Sequence, residues 1–157
     1  MIYAKQKLNR LFLLTSSFDP NQGWDALLLN NKLARFGDSI VNFIYNAAVY
    51  NVTNELQGVK VWDKCLAHAC RNSPIRKFVG TRKNAGDLGD AVEAFIAFSY
   101  LKNPTTITEM ISILTKSITI NKHLLEEDER ELCAKAFTDL VNDLCKNIGL
   151  NNEIQIM

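Results

Sequence analysis

Apolar residues along this chain recur at helical spacing instead of alternating. Leu33, Phe36, Gly37, Ile40, Val41, Ile44, Ala47 and Ala48 share one face at the helical period, which predicts a long amphipathic helix over 33–52. Leu8, Leu11 and Phe12 predict an earlier helix over 3–15. The run Asp19-Pro20-Asn21-Gln22-Gly23 reads as a turn, followed by a short helix or extended lead-in from Trp24 to Leu29. Residues 61–70 read as a helix, 72–79 as one short helical turn, and Gly80 to Gly86 as a polar, basic loop. After Glu93 the segment 87–101 is apolar nearly all round, which predicts a helix buried inside the domain, and Asn103-Pro104 stops it. Two amphipathic helices are predicted over about 106–118 and 123–147, with a frayed end at 150–157. The pattern is that of a single all-α domain of about seven helices over 1–157, with no internal repeat and no long linker.

Composition narrows the reading little further. Of the 157 residues 47% are apolar and 22% charged, an ordinary globular balance that argues against disorder. No apolar run approaches the ~20 residues needed to span a bilayer. The run Leu11 to Leu14 follows Lys5, Lys7 and Arg10 and reads as part of the first helix rather than a signal peptide, so a cytoplasmic protein is expected. Cys65, Cys70, Cys133 and Cys145 form no CxxC pair and lie at no zinc spacing from either His. Buried reduced thiols are expected in preference to a metal site or disulfides.

The net charge of +1 hides an asymmetry. Residues 58–90 hold seven basic residues and three acidic, whereas 121–157 hold four basic and eight acidic. A basic middle suits phosphates, with the acidic tail facing away, although two solvated helix faces explain the same charges.

The acids of the apolar helices carry more information. Asp90 and Glu93, three residues apart, open the helix that is apolar all round, and Asp87 lies one turn earlier. Asp87 reads as a helix cap. Glu93 fits that role less well, because a buried carboxylate without a partner is costly and no basic residue lies one turn along the helix. Asp38 follows Gly37, and a glycine inside a helix costs about 1 kcal/mol relative to alanine unless a close approach requires it. Were these two helices to pack at Gly37, Asp38, Asp90 and Glu93 would converge, and such oxygen ligands suit Mg²⁺ or Mn²⁺.

The same residues resemble the ribonuclease III family. Leu33-Ala34-Arg35-Phe36-Gly37-Asp38-Ser39-Ile40 is similar to the family's first catalytic segment, and Asp90-Ala91-Val92-Glu93-Ala94-Phe95-Ile96-Ala97 to its second. Arg71-Asn72-Ser73 resembles a short stretch between them, and the likeness covers roughly 24–120. It implies a helical ribonuclease III-type nuclease domain that acts as a homodimer, holds an RNA duplex in a shared groove and hydrolyses phosphodiesters with Mg²⁺, for which Mn²⁺ substitutes. Asp38 and Glu93 would match the family's catalytic acids, and Asp38, Asp90 and Glu93 its metal ligands. Lys60, Lys64, Arg76, Lys77, Arg82 and Lys83 are candidates for phosphate contacts, Arg82 and Lys83 first, because their loop leads into the Asp90 helix. Solvated loop lysines are the plain alternative.

The sequence also departs from the pattern. Ala34 stands where a glutamate is usual, Asn31 where another acid often sits, Arg35 adds a charge, and Ala97 replaces a glycine. A small residue at the place of Ala34, and the absence of a following double-stranded-RNA-binding domain, are similar to the Mini-III branch. Two readings compete with the nuclease: a non-catalytic relative that binds structured RNA or a ribonucleoprotein, favoured by Ala34, and a helical interaction domain. Asn42 either orients a ligand or flanks the helix. His68 is either a general base or structural. Tyr45, Val49 and Tyr50 are candidates for a dimer surface, though core packing explains them as well.

Overall fold

The computed structural model describes residues 23–102 and 105–150. The expected helix over 3–15 and the end at 151–157 lie outside the described residues. Within them the chain is all-α, with seven α-helices and no strand. These are α1 (Gly23–Leu28), α2 (Asn31–Thr53), α3 (Asp63–Arg71), α4 (Ala85–Leu101), α5 (Ile107–Ile120), α6 (Leu124–Glu127) and α7 (Glu129–Asn147). A 3₁₀ turn, Pro74–Phe78, joins α3 to the loop before α4.

Helix boundaries follow their caps. The Asn30 side chain accepts from the Lys32 and Leu33 amides and starts α2 earlier than its apolar stripe does. Asn54, in the left-handed region at φ 59°, ends it. Asn84 and Asp87 form a reciprocal capping box, so Asp87 is the cap its position predicted. Thr106 and Glu109 repeat the device at α5.

The single helix expected over 123–147 is instead two. Asp128 leaves helical geometry at φ −156° and its carboxylate accepts from the Glu131 amide, so it caps α7 and interrupts the run. An aspartate that bonds nearby backbone offers the chain an alternative to continuing the helix.

Helix α4 occupies the middle. It packs on α2 along one side and α3 along another, with α1 and α7 closing around it, while α5 fills between α2 and α7. Ten of its residues are buried, which is why its sequence is apolar all round. Trp24 pins α1 and the 3₁₀ turn to α4, its ring 6.1 Å from Phe95, 5.4 Å from Phe98 and 6.3 Å from Phe78. Tyr45 and Val49 face this same core, so of the three residues considered for a dimer surface only Tyr50 is exposed.

Candidate active site

Gly37 of α2 lies directly against the backbone of Glu93 of α4, and a Cβ at position 37 would overlap the Glu93 carbonyl. This is the close approach that a glycine in mid-helix suggests. It puts Asp38, the next residue on α2, close enough to Glu93 for its carboxylate to act on that of Glu93. Asp90 lies one turn before Glu93, and the three acids line one pocket of about 710 Å³. Asp63, the first residue of α3, completes its acidic wall. Asn31, Ala34, Arg35 and Lys60 form the remainder.

The electrostatics express this crowding. Burial, and then the charges of Asp38 and Asp90, push the Glu93 carboxyl up to about 8. Asp90 is raised in the same direction, by burial first and then by Asp63, Asp87 and Asp38. Two ion pairs exist among the described residues, Lys135–Glu131 and Lys146–Asp143, and neither belongs to this pocket. The four acids therefore meet here without a salt-bridged partner, and the protein alone relieves the repulsion by holding Glu93 protonated at neutral pH.

Asn42 fixes the orientation of one of them. Its amide nitrogen donates to the Asp38 carbonyl at 2.7 Å and to Asp38 Oδ1 at 3.0 Å. Its amide oxygen accepts from the Val61 backbone at 2.7 Å. Asn46, one turn on, exchanges two hydrogen bonds with Val59. The pair stitches the connection before α3 onto α2, and so sets where Lys60 and Asp63 stand relative to Asp38.

By kind, these residues fit a hard divalent cation, which prefers carboxylate oxygen. They are not drawn into a closed array: among the described residues no three His, Cys, Asp or Glu side chains are grouped so as to hold a metal ion.

The basic residues divide. Lys60 borders the acidic pocket, and both Lys60 and Lys64 line a neighbouring cleft between α3 and α7. Arg82 and Lys83 precede the Asn84 cap, in the loop that leads into the Asp90 helix. Arg76 and Lys77 stand at the other end of α3. Arg76 donates to the Val79 carbonyl at 2.6 Å, and Lys77 sits over the Phe78 ring at 5.1 Å. His68 is exposed, bonded to Thr138 at 3.3 Å, and lines the cleft rather than the acidic pocket. The acidic start of α7 does not face away from the basic middle, since Asp128 and Glu131 line that cleft opposite Lys60 and Lys64. All four cysteines are free and buried.

Asp63 is the site residue that sequence reasoning passed over. It reads as an ordinary acid at a helix start, and only the fold brings α3 to the two helices that carry the other acids. The comparison with known proteins bears on the arrangement as a whole: a family model described as Ribonuclease III matches residues 31–150. The chain belongs to the ribonuclease III family. No curated protein sequence matches it. The matched region contains both ribonuclease III segments, the Asn42 and Asn46 stitches and α7. No helix among the described residues is long and apolar enough to cross a membrane.

Proposed function

We propose that this protein is a divalent-metal-dependent endoribonuclease that cleaves double-stranded or structured RNA by phosphodiester hydrolysis. The observation that carries the proposal is the convergence of Asp38, Asp90 and Glu93, from two helices locked together at Gly37, on one pocket without a paired base. Asp38, Asp90 and Glu93 would hold Mg²⁺, or Mn²⁺ in its place. When bound, the cation stabilises charge on the phosphate and lowers the pKa of a water molecule. Glu93 would have to lose its proton to hold the cation, and Asn42 would keep the Asp38 carboxylate aimed. Lys60, at the rim, is placed to meet a phosphate next to the scissile one, with Lys64, Arg82 and Lys83 further out along the strand. A-form RNA is recognised largely by shape, phosphate and 2′-hydroxyl, which point charges on a rigid surface satisfy.

The active form proposed is a homodimer. Phe36, Phe43 and Tyr50 recur every seven residues along α2 and are 44%, 60% and 42% exposed, an apolar stripe on the helix that carries Asp38. Exposed aromatic stripes of this kind mark protein contacts. Two copies joined along α2 would bring two acidic pockets to one duplex.

The alternative reading, an inactive relative that binds structured RNA without cutting, is favoured by Ala34. It lies buried at the pocket wall where the family usually has a glutamate. The deciding experiment incubates labelled duplex RNA with Mg²⁺ or Mn²⁺ and the wild type, Asp38→Asn or Glu93→Gln. Cutting by the wild type alone, with both variants dimeric, supports the nuclease. Binding of duplex with no cutting under either ion replaces it with the binding module.

A further inference from the structure

Four buried thiols have no part in the proposed hydrolysis, and two of them differ from the others. Cys70 and Cys145 sit apart, their thiols pushed up by burial to about 11 and about 12. Cys65 on α3 and Cys133 on α7 instead neighbour each other, each thiol acting on the titration of the other. The backbone places them so. Cys65 Sγ donates to the Arg130 carbonyl of α7 at 3.2 Å. Cys133 follows Arg130 by three residues, and a helical side chain leans back over the turn before its own Cα. Its sulfur therefore lies over the carbonyl that Cys65 reaches.

We propose that Cys65 and Cys133 are a modification site: a thiol pair that a hydroperoxide oxidises to a disulfide joining α3 to α7. Access selects which sulfur reacts first. Cys65 borders the α3–α7 cleft of about 820 Å³ between Lys64, His68 and Arg130, whereas Cys133 is fully enclosed. The neighbouring Cys133 thiol, and then the Arg130 charge, favour the Cys65 thiolate against burial and the Asp128 charge. The Cys65 sulfur attacks the peroxide, an S–O bond forms as the O–O bond breaks, and the departing oxygen leaves as an alcohol, or as water from hydrogen peroxide. Cys133 then attacks the Cys65 sulfenic acid. An S–S bond forms, the S–O bond breaks, and the hydroxyl leaves as water with the Cys133 proton. Two thiols are oxidised and one peroxide is reduced.

The test needs no nuclease activity, so it stands or falls apart from the function proposed above. The whole chain is treated with hydrogen peroxide, denatured under a thiol-blocking reagent and mapped by mass spectrometry without reductant. The expected result is one intramolecular cross-link, Cys65 to Cys133, two hydrogens lighter than the thiol form and reversed by dithiothreitol, with Cys70 and Cys145 blocked as free thiols. Cys133→Ser, treated alike with dimedone present, should carry the dimedone adduct on Cys65. Four blockable thiols after peroxide, a cross-link between other cysteines, or dimedone on Cys70 or Cys145 instead of Cys65 would overturn the proposal. Because the wild-type map alone can do so, a misfolded variant does not shield it.

Discussion

Gly37 and Glu93 touch backbone to backbone, and this contact sets the distance at which α2 and α4 run past each other. Everything at the acidic pocket inherits from it: Asp38 is one residue from the contact, and the side chain of Glu93 starts from it. Gly37→Ala should therefore be severe for so small a change. The added methyl has backbone as its obstacle, which cannot rotate away, so the helices must separate. Overpacking in a well-packed core costs typically 1–3 kcal/mol, and a backbone obstacle belongs at the upper end, about 3 kcal/mol or more. Urea unfolding of wild type and variant measures it. A loss below about 1 kcal/mol would mean that the helices slide at little cost.

Glu93 gives the fold a pH dependence with a definite sign. Its folded-state carboxyl titrates near 8 against an ordinary 4.5, because burial and the facing charges of Asp38, Asp90 and Asp63 favour the neutral form. Lys60 and Arg35 also line the pocket, without an ion pair. The folded state thus binds the proton more tightly than the unfolded chain does. This contribution is complete below about pH 4.5 and is lost as pH rises through about 8. Without divalent ions the melting temperature should fall between pH 6 and 9, and Glu93→Gln should flatten that fall. A wild-type profile that rises over this range in chelator would refute the assignment. The same proton competes with metal, so Mn²⁺ affinity measured by calorimetry should increase across the interval.

Asn42 links two walls of the pocket, so its removal should separate stability from geometry. Asn42→Ala leaves the Val61 amide without its acceptor, and an unsatisfied buried donor costs about 1–3 kcal/mol. Asn42→Asp restores that acceptor yet sets a second carboxylate against Asp38. The Asp variant should lose stability where carboxylates are charged and recover part of it as acid relieves the repulsion between the two side chains. Melting curves of the two variants at pH 4 and pH 8 check this. Equal losses at both values would mean that Asn42 acts only through Val61.

Much of this was legible in the sequence, and the residues say why. Helices α2 and α4 are long enough for apolar periodicity to locate them to within a residue or two, and the shifts at their starts come from side chains, Asn30 and Asn84, that lie outside the apolar stripe. Gly37 and the three acids stood out because each breaks a local preference: a glycine in mid-helix, carboxylates at the edge of apolar faces. Asp63 breaks none. An acid in the first turn of a helix is where the backbone dipole favours it, so its place in the pocket appears only when α3 docks. The division of α7 from α6 was hidden for a like reason, since Asp128 sits in a run of acids that a solvated helix tolerates. Arg76 carries the same formal charge as Lys60, and only the folded loop shows that its guanidinium is already bonded.

The stripe on α2 makes a prediction about assembly. Phe43 is its most exposed aromatic, at 60%, and it lies on the helix face away from the core. Phe43→Glu should split a dimer into monomers while leaving far-ultraviolet circular dichroism unchanged, because no core contact is lost. Light scattering of both proteins at equal concentration decides it. A wild type already monomeric at tens of micromolar, or a variant still dimeric, would remove α2 as the interface.

The two classes of basic residue should behave differently toward RNA. Lys60 is exposed at the pocket rim, so Lys60→Ala should weaken duplex binding. It should also lower the dependence of log affinity on log salt by about one phosphate contact, since each neutralised phosphate releases counterions. Stability should hardly change, as with most exposed lysines. Arg76 holds the Val79 carbonyl at 2.6 Å at the distant end of α3. Arg76→Ala should cost about 1–3 kcal/mol of folding free energy, the usual loss for a charged hydrogen bond, and leave the salt slope alone. Filter binding over a range of KCl concentrations, with urea unfolding beside it, separates the two. If Arg76→Ala lowers the slope and Lys60→Ala does not, the RNA path runs along the 3₁₀ turn and away from the acidic pocket, and the hydrolytic geometry argued from Asp38 and Glu93 loses its substrate.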